Sequence, residues 1–286
     1  MMDVSCRRSH GMTTTDKMNH VNSIHTSEAP LVSVIMPSYN HAAYVERAIS
    51  SVLAQTHEAV ELIVIDDGST DGSVDLLRSL SLQHGFTLIC QANAGVCKTL
   101  NRGIREAANG KFIALLASDD FWHPDKLRQQ LAALANNPIS EFCFSQAIEF
   151  RDEARPDDGR VFPRKCYRGN IVGKVFLRQH VPAGTMLFSR HLYDVLGGFD
   201  ETLREEDWDF VIRSAATTSF CAVDAPLLYY RAHDANTMRT RGGSAIFHQK
   251  AKILAKNFPL VKPCVWLAAI ALHFTHDILL DRAPQR

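Results

Sequence analysis

Val60-Glu61-Leu62-Ile63-Val64-Ile65-Asp66-Asp67-Gly68-Ser69 is an apolar, β-branched run that breaks into an acidic turn. Such a run reads as a buried strand, and in open α/β sheets the polar end of a strand is where ligand-binding groups collect. The same arrangement recurs on either side of it. Residues 31–36 form a run ending at Pro37-Ser38-Tyr39-Asn40, residues 86–90 one followed by Asn93-Ala94-Gly95, and residues 111–116 one ending at Ser118-Asp119-Asp120. Helical periodicity fills the gaps. Tyr44, Val45, Ala48, Ile49, Val52 and Leu53 share one face behind Asn40, which is expected to cap that helix. Asp71 is expected to cap a short second helix. A third is expected over 95–108, closed by Asn109-Gly110, and Pro124 should open a fourth. Alternating strand and helix with short connections predicts an α/β fold with a mostly parallel sheet and helices on both faces.

The second half lacks that regularity. It predicts a strand over 142–150, a charged loop over 151–160 and a helix over 169–180. A strand-like stretch follows at 184–188, then a Gly197-Gly198-Phe199-Asp200 turn, a helix over 206–216 and short strands around Pro226 within 220–230. This smaller half is expected to pack on the sheet and complete the site. Three regions result: a polar tail (1–29), a domain over 30–235 whose halves divide at 125/126, and a basic C-terminal segment (236–286).

With 286 residues, 46% of them apolar, the chain can bury a large core. Its 31 basic and 31 acidic residues give a formal net charge of zero, which argues against a nucleic-acid partner. Seven cysteines, none spaced C-x-x-C, argue against a disulfide framework or a cysteine-based zinc site and favour a reducing compartment. No stretch reads as a membrane span or a signal peptide. A cytoplasmic location is therefore expected. Residues 231–286 hold nine Lys or Arg against three Asp or Glu, with apolar runs at 265–274 and 278–280. That combination suits either peripheral contact through 250–286 with the inner face of a membrane, or a helix packed on the domain.

The common nucleotide and hydrolase signatures are missing: G-x-G-x-x-G after a strand, G-x-x-x-x-G-K-[ST] and G-x-S-x-G. The acid pairs Asp66-Asp67 and Asp119-Asp120 remain. Adjacent carboxylates at a sheet rim repel unless a cation lies between them, and Mg²⁺ or Mn²⁺ commonly arrives there with substrate phosphates. One member of each pair can instead serve a turn. His273 and His276, three apart, lie on an apolar segment and read as packing residues.

Four segments together resemble the family 2 glycosyltransferases: 32–40, 65–71, Asn93-Ala94-Gly95 with Asn101, and Ser118-Asp119-Asp120. The resemblance covers about residues 31–235. It implies a GT-A fold, a nucleotide-sugar donor, a divalent metal and inversion at the anomeric carbon. By the same resemblance Pro37, Tyr39 and Asp67 hold the nucleotide base, and Asn40 belongs to the nucleotide-binding set with them. Tyr39 offers a ring face and Asp67 an acceptor for the N3–H of uracil, which favours a UDP-sugar. Asn101 falls where the family contacts base, ribose or phosphate. Asp66 reads as a turn residue. Ser118-Asp119-Asp120 stands at the metal motif, with Asp120 the leading ligand and Asp119 a ribose or metal contact. The sequence departs from the pattern at Ala117, where many relatives carry an acid. Glu206-Asp207 resembles the Glu-Asp motif that supplies the general base, with Asp207 favoured. Residues 230–236 resemble the closing segment, in which His233 would ligate the metal or contact the diphosphate.

The expected acceptor is a hydroxyl on a glycan or lipid-linked glycan. Two rivals stay open. A nucleotidyltransferase would bind a similar ligand, but commonly carries a Gly-rich basic loop where this chain has Pro37-Ser38-Tyr39-Asn40-His41. A non-catalytic binding domain would fit Ala117, but would need no base at 206–207.

Overall fold

The computed structural model describes residues 29–203, 206–233 and 243–280. Its first half is β1 (Val32–Ser38), α1 (Val45–Leu53), β2 (Val60–Asp66), α2 (Ser73–His84), β3 (Thr87–Cys90), α3 (Val96–Glu106) and β4 (Phe112–Leu115). Then come β5 (Phe121–Trp122), α4 (Lys126–Ala135), β6 (Ser140–Phe150), β7 (Arg160–Phe162), α5 (Val172–Leu177), β8 (Leu187–Ser189), α6 (Arg190–Leu196), α7 (Glu206–Thr217) and β9 (Ser219–Arg231). Among the described residues α8 (Gly243–Lys256) and α9 (Pro263–Phe274) follow, the latter running into a π-helical turn (Thr275–Leu280).

The strands form one sheet ordered β3-β2-β1-β4-β8-β6-β9-β5, with β7 on β6. The first four pair in parallel, as the βα alternation predicts. Beyond β4 the sheet is mixed: β8 is antiparallel to β4 and β6, while β6 and β9 run parallel. Both faces are covered. Val45, Ile49 and Val52 of α1, Leu77 of α2 and Leu127 of α4 bury against Val32, Val34 and Met36. On the other face Leu100 and Ile104 of α3, with Phe210 and Val211 of α7, bury against Ile35, Ile63 and Ile65. Alternate residues of one strand thus serve two cores, as the pleat requires.

Several boundaries differ from the sequence reading. Asn40 does not cap α1, which starts at Val45. It takes a left-handed conformation (φ 55°) and ties the loop after β1 to the loop after β2. Asn109-Gly110 is not the cap of α3, which ends at Glu106. There Gly110 N donates to Ser33 Oγ, anchoring β4 against β1. Short strands around Pro226 are instead a single strand, β9, whose register slips against β6 at Gln146. The helix expected over 169–180 is only α5, and 184–188 is a 3₁₀ turn leading into β8. The expected tail falls almost wholly outside the described residues.

The C-terminal helices pack on the domain. Ile253, Leu254 and Ala269 join the core of the α3 face, and His273 meets the ring edge of Trp208 at 5.0 Å. Lys250 pairs with Asp277 at 2.9 Å, and Lys256 bridges Asp200 and Asp209. The outer side of α9 stays exposed, with Leu267 at 61% and Leu272 and Phe274 also open. Among the described residues no helix is long and apolar enough to cross a membrane.

Candidate active site

The loops after β1, β2 and β4 meet at the carboxyl edge of the parallel strands. Asp66 ends β2 with its Oδ1 accepting from Gly68 N at 3.1 Å and Ser69 N at 2.9 Å, which closes the turn. Gly68 has φ +82°, and a Cβ there would lie 2.8 Å from Asn93 N, so the turn depends on glycine. Asp67 is buried. It accepts from Gln91 Nε2, Ala94 N and Gly95 N at 2.7–2.9 Å and so holds the Asn93-Ala94-Gly95 loop in place. Three of roughly four acceptor positions are thereby filled, leaving capacity on Oδ2. Asn40 N donates to Ser69 Oγ at 2.8 Å, and its Oδ1 accepts from Thr70 N at 2.7 Å. Beside it Tyr39 is 47% exposed, its ring on the rim, while Pro37 remains within β1 beside Ile65.

Asn101 does not face this rim. It is buried, with Oδ1 accepting from Tyr193 Oη and Phe199 N, and Nδ2 donating to Phe199 O and Glu201 Oε1. All of its hydrogen-bonding positions are used inside the protein. In this structure those bonds lock α3 to the Gly197-Gly198 turn. Gly198 has φ +84°, and a Cβ there would lie 2.7 Å from Asn101 Oδ1.

The metal motif also differs in detail. Among the described residues one set of possible ligands converges, His41, Asp119 and His233, with donor atoms within 4.8 Å of one another. His233 Nε2 lies 3.0 Å and His41 Nε2 3.9 Å from the same oxygen, Asp119 Oδ2. Tyr44 packs against both imidazoles. Burial lowers the His41 pKa, favouring its neutral form. Asp120, expected as leading ligand, stands outside this set. It is buried, and its Oδ1 accepts from Arg231 N at 2.8 Å. Burial, then the neighbouring Asp119 charge, holds its carboxyl well above the usual carboxylate range. Arg231 closes the floor: its Nε donates to Asp119 O at 2.7 Å and its guanidinium lies over Tyr44 and against Glu153. The sequence reading missed His41, which sits in an otherwise ordinary loop. The absent acid at Ala117 was the signal that a replacement donor should be sought.

Asp207 lies at the start of α7 and is half-buried. Its Oδ2 accepts from Gln179 Nε2 at 3.2 Å and its Oδ1 from Trp208 N at 2.7 Å. Burial raises its carboxyl above the ordinary range despite these bonds. Trp208 fixes the helix start by donating Nε1–H to Val175 O at 2.7 Å. The Glu206 side chain lies outside the described residues.

A parallel half-sheet with its polar loops at one edge, a mixed second half and helices on both faces give an α/β fold of the GT-A type. The family model described as glycosyl transferase family 2 matches residues 33–197, so the chain belongs to glycosyltransferase family 2 and is a glycosyltransferase. An uncharacterized glycosyltransferase of Rickettsia typhi is 31% identical over 223 residues, 74% of this chain and 67% of its own length. The putative glycosyltransferase EpsH of Bacillus subtilis is 29% identical over 246 residues, 80% of this chain and 71% of EpsH. Among solved structures, TarS of S. aureus in complex with UDP-GlcNAc superposes with a TM-score of 0.66 at 18% identity, over 86% of this chain and 73% of that one. The mannosyltransferase PcManGT from Pyrobaculum calidifontis, in complex with GDP-Man and Mn²⁺, gives 0.63 at 20% identity, over 89% and 74%. At these identities the likeness shows the fold.

Proposed function

We propose that the chain moves a sugar from a UDP-sugar to a hydroxyl of a glycan or lipid-linked glycan, with inversion and with divalent-metal assistance. The single observation that carries this reading is the convergence of Asp119, His233 and His41 beside the Asp67 and Tyr39 rim. The carboxylate suits Mn²⁺, and the imidazoles favour a first-row transition ion over Mg²⁺. Asp119 and His233 would hold the ion, which when bound offsets the charge on the departing diphosphate. Tyr39 stacks on the base, Asp67 accepts its N3–H through Oδ2, and Pro37 and Asn40 shape the rim. Asp120 braces the Arg231 backbone beneath Asp119.

Asp207 is the general base. The acceptor oxygen attacks the sugar C1 as the bond from C1 to the diphosphate oxygen breaks, and the acceptor proton passes to the Asp207 carboxylate. Gln179 orients that carboxylate. One direct displacement inverts the anomeric centre and needs no covalent enzyme intermediate. TarS and PcManGT, with their UDP-GlcNAc and GDP-Man, support a nucleotide-sugar donor in this fold. Product analysis separates this from the nucleotidyltransferase rival. Incubation with UDP-sugars and acceptor should release UDP, and release of pyrophosphate would contradict the reading.

The exposed outer side of α9, with Phe258 and Leu260 before it and Lys252 and Lys262 open to solvent, supports peripheral contact with an anionic membrane. Replacing Leu267 and Leu272 by Ser should cut co-sedimentation with phosphatidylglycerol vesicles at least fivefold while leaving the melting temperature within about 2 °C. Unchanged sedimentation would remove the membrane from the account.

A further inference from the structure

We propose that His41 is a metal ligand standing in for the carboxylate missing at Ala117, so that two imidazoles and one carboxylate select Mn²⁺ over Mg²⁺. The inference rests on the metal-assisted reading above and adds a residue and a selectivity to it.

Three independent features support it. The first is spacing. Two donors bound to one ion at about 2.0–2.2 Å lie roughly 3–4 Å apart. His233 Nε2 and His41 Nε2 stand 3.0 and 3.9 Å from the shared Asp119 Oδ2. The second is the far side of the ring. His41 Nδ1 lies 2.8 Å from Ser118 Oγ, a buried hydroxyl. A ligating histidine is normally held by a hydrogen bond at its other nitrogen, which fixes the ring and directs the remaining lone pair to the ion. The third is the backbone. Left-handed Asn40 is pinned through Ser69 and Thr70, and His41 O accepts from Tyr44 N and Val45 N at the entry to α1. The His41 ring is therefore carried by a braced turn and not by a free loop.

The donor chemistry sets the selectivity. Mg²⁺ takes oxygen ligands in near-ideal octahedral geometry and is poorly served by two imidazoles. Imidazole nitrogen suits first-row transition ions and not Mg²⁺, while the Asp119 carboxylate suits Mn²⁺ and Mg²⁺ alike, so the two imidazoles are what favour Mn²⁺ of the pair.

The test uses the full-length protein with Mn²⁺ alone as probe, so it does not depend on turnover. Free Mn²⁺ is followed by electron paramagnetic resonance, and nitrogen coupling to bound Mn²⁺ by electron spin-echo modulation. The parent should show two coordinated imidazoles and resist a tenfold excess of Mg²⁺. His41→Ala should show one imidazole and bind Mn²⁺ about tenfold more weakly or worse. Adding Ala117→Asp to that variant should recover affinity with one imidazole still present, and should admit Mg²⁺. One imidazole in the parent, or equal Mn²⁺ affinity in His41→Ala, overturns the role of His41 while leaving Mn²⁺-assisted transfer standing. A parent that binds no Mn²⁺, with or without UDP, overturns both.

Discussion

Asp207→Asn is expected to lower kcat for transfer about 10³-fold while changing UDP affinity less than threefold. A positioned general base contributes on the order of 10²–10⁴ in rate. Asn keeps the shape of the side chain, and its one carboxamide oxygen can still accept from Trp208 N, so the start of α7 should survive although the bond from Gln179 Nε2 is lost. It cannot take the acceptor proton. The pH profile gives a second check. Burial raises the Asp207 carboxyl, so the active carboxylate is lost as pH falls through that raised value. The acid limb of kcat/KM should therefore lie above the range of a free carboxylate, and should vanish from the residual activity of the variant. Full activity in Asp207→Asn would remove it as base and direct attention to Glu206.

Lys126→Met should make the protein more stable at pH 7, by about 2–3 kcal/mol, a rise in Tm of roughly 5–10 °C. Lys126 is fully buried on α4, its Nζ without a hydrogen-bond partner and 3.9 Å from the centre of the Trp122 ring. Burial pulls its pKa down to about 7 from 10.5. The unfolded chain thus binds more protons than the folded one between pH 7 and 10.5, and the parent must gain stability as pH rises through that window. The cost is fully present below about pH 7. Met has comparable length and no charge, so its advantage should be largest at pH 6–7 and shrink towards pH 10. The contact with Trp122 offsets part of the cost in the parent. Chemical denaturation at pH 6.5 and 9.5 measures both quantities. A destabilised variant at pH 6.5 would show that the ammonium is needed where it stands.

The first half of the molecule was legible because each strand there is a continuous apolar run and each helix a clear 3.6-residue pattern. These local periods dictate parallel order, and they place the loops after β1, β2 and β4 at one edge. The second half was harder to read for a physical reason. β6, β8 and β9 are held by distant partners, so the run around Pro226 gives no sign that it forms one strand. Individual side chains divided in the same way. The Asp66 turn follows from an acid before Gly-Ser. The burial of Asn101 depends on Tyr193 and Phe199, about a hundred residues away, and no local pattern reports it. Similarly, nothing near His41 indicates that Ser118 and Asp119 lie beside it.

Thermal melting with UDP, dTDP, GDP and CDP, each with and without Mn²⁺, tests the central claim most directly. A ligand at about 100 times its Kd stabilises the folded state by about 2.7 kcal/mol, which for a chain of this size is roughly 5–10 °C. The account predicts a shift of that order for UDP with Mn²⁺, a much smaller one for UDP alone, and loss of the difference in Asp119→Asn. A metal-independent shift, or none with any nucleotide, would contradict it.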